Sequence, residues 1–110
     1  MSASACIAYF GLRYDVGLED VERLEERSDP RQVAAKRAGL SSYWANFGGE
    51  GDRYRLLIGT RIGAVGPEDG TDAALPVEQL HHIISETVDR LRTAGLEGDV
   101  GLYLEWLEDV

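Results

Sequence analysis

A single cysteine, Cys6, stands in a chain of 110 residues, so no internal disulfide can form and a cysteine-built zinc site lacks its ligands. No apolar run approaches the roughly 20 residues that a membrane-spanning helix needs, and no membrane partner is expected. Basic residues are also scarce: Lys and Arg together number 11 against 20 Asp and Glu, for a formal net charge of −9. A field of that sign repels phosphate backbones and anionic bilayers, so no nucleic-acid partner is expected either. Met1-Ser2-Ala3-Ser4-Ala5 has neither the basic start nor the long apolar centre of a secretory signal, and with one thiol a reducing, cytoplasmic setting is the expectation. No internal repeat or low-complexity tract enters the account.

What remains is the composition of an ordinary globular protein, with 44% hydrophobic residues, 28% charged and 13 glycines. The expectation is one α+β domain over residues 1–110. From Cys6 to Val16, Ala8, Phe10, Leu12 and Tyr14 recur at period two, which predicts a first strand. Its other face, Ile7, Tyr9, Gly11 and Arg13, is too apolar at its start to be simply solvated. Leu18 to Arg27 reads as a thin acidic helix on Leu18, Val21 and Leu24. Ser28-Asp29-Pro30 then caps a second short helix over Arg31 to Ala38, which Gly39 stops.

Ser41 to Phe47 and Arg53 to Gly63 read as a hairpin joined by Gly48-Gly49-Glu50-Gly51-Asp52. Its second arm alternates cleanly, with Tyr54, Leu56, Ile58, Thr60 and Ile62 on one face. Gly66 to Asp72 reads as an exposed loop. Pro76 opens a long helix on Val77, Leu80, Ile84, Thr87 and Leu91, closed by Gly95, and Asp99 to Leu107 supplies a last strand. The order predicts a ferredoxin-like βαββαβ sandwich, a four-stranded antiparallel sheet with helices on one face. Two short helices where that fold has one leave other helix-on-sheet arrangements open.

If the helices cover Val100, Leu102, Leu104 and Trp106, the uncovered face shows Arg53, Arg55, Leu57 and Arg61 beside Tyr103, Glu105 and Leu107. Arginine forks on such a face suit a carboxylate or an acidic partner, but alternating arginine and apolar residues are also the ordinary pattern of a half-solvated strand. Leu57, Arg61, Tyr103 and Leu107 are the candidate interface of a homodimer, since apolar area left wet marks interfaces. A ligand site lined by Tyr9, Arg13, Trp44, Asn46, Arg55 and Tyr103 is the alternative.

His82 and Glu86 have i, i+4 spacing on the long helix but point away from its apolar stripe, so no metal is expected. His81, at the stripe's edge, reads as a packed surface residue rather than a general base. Gly59, Gly63 and Gly66 lack the spacing and the lysine of a phosphate-binding loop and read as strand bends or a bulge. Cys6 reads as a small buried hydrophobe, and no cofactor is implied. The function expected is a non-catalytic protein-interaction module that forms a homodimer and takes a possible further protein partner. The alternative is a small-molecule-binding protein or small enzyme of the dimeric α+β barrel kind.

Overall fold

The computed structural model describes residues 4–48, 51–67, 70 and 72–107. Gly49 and Glu50 of the expected hairpin turn, and Glu68, Asp69 and Thr71 of the expected loop, lie outside them. The chain forms an α+β structure with an open four-stranded antiparallel sheet. Its elements are β1 (Ala5–Asp15), α1 (Val21–Glu25), α2 (Pro30–Arg37), β2 (Ser41–Asn46), β3 (Tyr54–Val65), α3 (Val77–Ala94) and β4 (Gly101–Leu107). The strand order is β2-β3-β1-β4, so β2 and β4 are the two edges. Among the described residues no helix is long and apolar enough to cross a membrane.

The first helix, expected over Leu18 to Arg27, is shorter and starts later. Leu18–Asp20 is one turn of 3-10 helix, and Leu24 is the only buried residue of α1 while Leu18 is exposed. α2 begins as its sequence requires. Pro30 sits in its first turn, and the Asp29 side chain accepts the Arg31 backbone N–H at 2.9 Å. The Arg31 guanidinium grips the same carboxylate with two further hydrogen bonds of 2.9 Å and stacks 5.3 Å from the Tyr14 ring. These hydrogen bonds hold the Asp29 carboxyl below the usual carboxylate range, against the opposing effect of burial. α3 ends at Gly95, which takes the left-handed conformation at φ 71°.

The main core lies between the helices and one half of the sheet, where Leu24, Ala35, Leu40 and Leu91 meet Leu12, Leu56 and Ile58. Thr87 of α3 is buried and hydrogen-bonds Thr60 of β3 at 2.6 Å, which fixes the helix over the centre of the sheet. α3 packs against β1 and β3. The first residue of its apolar stripe, Val77, is exposed.

The sheet is creased. Gly11 is paired with Gly59 on one side and Gly101 on the other, so three adjacent strands carry glycine in one row. Gly11 and Gly59 have φ of 154° and 150°, and a Cβ on Gly11 would stand 2.0 Å from the Ile58 carbonyl oxygen. Only glycine permits that approach. The crease explains an otherwise impossible contact. Glu105 is the register partner of Ile7, and Arg13 lies six residues further along β1, about 20 Å away in a flat strand. Arg13 nevertheless donates to Glu105 at 2.8 Å, so the sheet folds inward on this face.

That fold corrects one expectation. The face bearing Leu57 was expected to be open, but Ile7, Tyr9 and Leu57 are buried there as a second small core, packed by Tyr43, Phe47, Tyr103 and Leu107. A concave face covers itself, and no helix is needed to dry it. A β-bulge between Ala8 and Tyr9, opposite Arg61 to Gly63, adds a further bend.

Candidate interaction surface

On the concave face, Glu105 is 6% exposed and is held by two arginines. Arg13 takes one carboxylate oxygen and Arg55 the other, while Arg55 also donates to Asp15 at 3.2 Å. The Arg13 guanidinium lies 4.8 Å from the centre of the Tyr103 ring, and the Tyr103 hydroxyl donates to the Asp99 carbonyl. Ser41 Oγ stands 3.2 Å from both the Tyr9 hydroxyl and the Gly59 carbonyl oxygen. Four of the residues singled out from sequence, Tyr9, Arg13, Arg55 and Tyr103, therefore share one face. Their polar atoms are taken up by other residues of the protein, the two arginines by Glu105 and Asp15, Tyr9 by Ser41 and Tyr103 by the Asp99 carbonyl, and the Arg13–Glu105–Arg55 cluster acts as an internal tie across the crease.

The other two stand elsewhere. Trp44 lies on the helix side of the sheet against Tyr54, ring centres 6.5 Å apart. Asn46 holds the β2–β3 turn: its carbonyl oxygen accepts from Gly48 N at 3.0 Å and Arg53 N at 2.9 Å, and its amide donates to Asp52. The structure thus brings Trp44 and Asn46 to no common site with Tyr9 and Arg55. Of the interface candidates, Arg61 is exposed, Tyr103 and Leu107 are half-buried, and Leu57 is fully buried. On α3, His81 is exposed. His82 Nε2 pairs with Glu86 at 2.7 Å, and Glu86 also pairs with Arg90. Cys6 is half-buried.

The exposed apolar surface is on the opposite face of β4. Because β1 pairs Cys6 with Trp106, Ala8 with Leu104 and Phe10 with Leu102, these side chains share the helix side of the sheet. The helices do not reach them. Leu102, Leu104 and Trp106 are 57%, 62% and 54% exposed, together roughly 350 Å² of apolar surface. Beside them a shallow hollow of about 240 Å³ is lined by Cys6, Ala8, Ile62, Val65, Leu102 and Leu104. The expectation that this face of β4 belongs to the core is overturned, since α3 sits over β1 and β3 and is kept there by Thr87.

β4 is also a free edge, with one row of backbone groups unused by the sheet. Its only charged residue, Glu105, points to the concave face and is already paired. The charges and prolines that normally discourage edge pairing are missing from it. Comparison with protein-family models, curated proteins and solved structures finds no match to this chain.

Proposed function

We propose that this protein is a non-catalytic interaction module that forms a homodimer by pairing the β4 edges of two copies. The observation that carries the reading is the row Leu102, Leu104 and Trp106, exposed on an edge strand that bears no outward charge. An antiparallel pair about a two-fold axis at Leu104 sets Leu104 opposite its own copy and Leu102 opposite Trp106, an apolar ladder on one face of a continuous eight-stranded sheet. Two-fold pairing of like edges is self-complementary, which favours a second copy over an unrelated partner.

The apolar row together with the strand edge supplies an interface at the low end of specific sizes, below about 1,200 Å² in total. The dimer is therefore weak, in the micromolar range. Each copy carries a net charge of −9, so added salt strengthens association by screening the repulsion. The saturated Arg13–Glu105–Arg55 cluster supports a structural role for that face rather than a catalytic one.

The finer fold reading also belongs to this proposal. A ferredoxin-like βαββαβ arrangement is supported by the order β2-β3-β1-β4 and by helices packed on one face. Residence in the cytoplasm is supported by the single cysteine. A further protein partner would use the same β4 edge.

Sedimentation equilibrium over a concentration series tests the dimer. Wild-type protein is expected to dimerise at tens of micromolar, and Leu104→Lys to stay monomeric with an unchanged circular dichroism spectrum. A wild type that is monomeric throughout, or a Leu104→Lys variant that still dimerises, overturns the reading.

A further inference from the structure

Pairing two β4 edges joins their backbones, but the side chains of a strand stand out of the plane of its sheet. The dimer therefore leaves Leu102, Leu104 and Trp106 uncovered on the helix side. It also brings the rows of the two copies together into one strip of roughly 600 Å², more apolar area than soluble proteins ordinarily leave wet. Phe10, half-buried, and the hollow beside Cys6, Ala8 and Ile62 border the strip in each copy.

This strip is the floor of a trough. α3 packs against β1 and β3, and the Arg90 guanidinium donates to the Gly39 carbonyl just before β2, which marks the flank of α3 that faces β2. Helical period puts Val77, Ile84 and Val88 on the opposite flank, toward β4. Val77 is 66% exposed, and Ile84 and Val88 are half-buried, so an apolar wall continues the apolar floor. Strands stand about 4.8 Å apart, which sets the α3 axes of the two copies, each over its β1–β3 boundary, roughly 19 Å apart across the joined edges. Packed helices keep about 8–10 Å between axes. The trough is thus one helix wide, and no helix of the described residues fills it.

Given the edge-paired dimer, on which this reading rests, we infer that the joined β4 strands seat one amphipathic helix of a partner protein, apolar on its buried face and rich in lysine or arginine on its outer face. Its apolar stripe covers the floor and both walls at once, in the manner of a helix laid in a groove. The outer face is basic because two copies carry twice the −9 of one, and a field of that sign attracts a cationic helix and repels an acidic one. A second dimer fits the trough poorly. Its own α3 pair stands about 10 Å above its sheet, so two such faces meet ridge against ridge and the floor stays bare. An added strand finds no free backbone, since both β4 edges are already used.

The test titrates intact protein, at concentrations where it dimerises, with a synthetic peptide as long as α3, 18 residues, carrying leucine on one helical face and lysine on the other. One control keeps the leucine stripe with glutamate in place of lysine, and a second scrambles the leucine and lysine positions. Calorimetry is expected to give one leucine–lysine peptide per two chains, with each control bound at least about tenfold more weakly. In the amide NMR spectrum Val77, Ile84, Val88, Leu102, Leu104 and Trp106 should shift, and Ser41–Asn46 should not. Val77→Lys, at an exposed position away from the β4 edge, should weaken the peptide by about tenfold and leave dimerisation unchanged in sedimentation. A wild type that stays monomeric removes the dimer and the helix seat together. A dimer that binds no peptide, binds the scrambled one equally, takes one peptide per chain, loses nothing in Val77→Lys or forms tetramers through the same residues overturns the seat alone.

Discussion

The two edges of one sheet have been treated in opposite ways. β2 begins with Ser41 and Ser42, lies against α2 and has the cationic residues of α2 beside it. β4 presents Leu102, Leu104 and Trp106 with no outward charge. An edge strand is a standing invitation to another strand. Here α2 packs against one edge strand, and the other is left apolar and exposed. The difference teaches that the exposed row on β4 is not the general condition of this sheet.

The contrast depends first on the crease, so Gly11→Ala should have the largest effect. A Cβ at Gly11 meets the Ile58 carbonyl oxygen at 2.0 Å, and the expected loss is about 3 kcal/mol or more, read by urea unfolding. Near-wild-type stability in that variant would mean that the sheet does not need its fold. Next, a charge on the β4 edge, as in Trp106→Glu, should weaken dimerisation by about a hundredfold, with Ser42→Glu on the β2 edge leaving it unchanged. Equal effects at the two edges would erase the distinction between them.

The protected edge rests on α2, and α2 on Asp29. Removing the cap and the partner of Arg31 in Asp29→Ala should cost about 2 kcal/mol. The same group sets an acid limit. Its carboxyl is held below the usual range by the hydrogen bonds from Arg31, so its contribution is complete above the unfolded-state value and is lost as pH falls through the lower folded-state value. Wild-type stability should therefore drop steeply below about pH 4. Asp29→Asn should be less stable at neutral pH and should show a flatter acid limb, measured by denaturation across pH. The smallest effect belongs to Arg27→Gly, which should gain about 0.5–1 kcal/mol by relieving the left-handed arginine. Destabilisation instead would show that Arg27 makes a contact worth more than its strain.

Most of the elements were legible because their periods are strong. β3 alternates over Tyr54, Leu56, Ile58 and Thr60, α3 carries apolar residues at three and four, and Asp29-Pro30 marks the start of α2. The crease was not legible, since Gly11, Gly59 and Gly101 each look like an isolated glycine in a strand. Only the register, which is set by tertiary packing, places them in one row. The cover over β4 was misjudged for a related reason. Both rows of that strand are apolar, and the footprint of α3 is decided by Thr87 meeting Thr60 rather than by the stripe alone. The left-handed conformation of Arg27, too, is visible only in three dimensions.

Backbone amide hydrogen exchange at high and low protein concentration tests the central claim most directly. The account predicts that Gly101–Leu107 gains protection as the protein is concentrated from sub-micromolar to hundreds of micromolar, while Ser41–Asn46 of β2 does not change. Concentration-independent exchange along β4, or new protection on β2 in its place, would contradict pairing through the β4 edge.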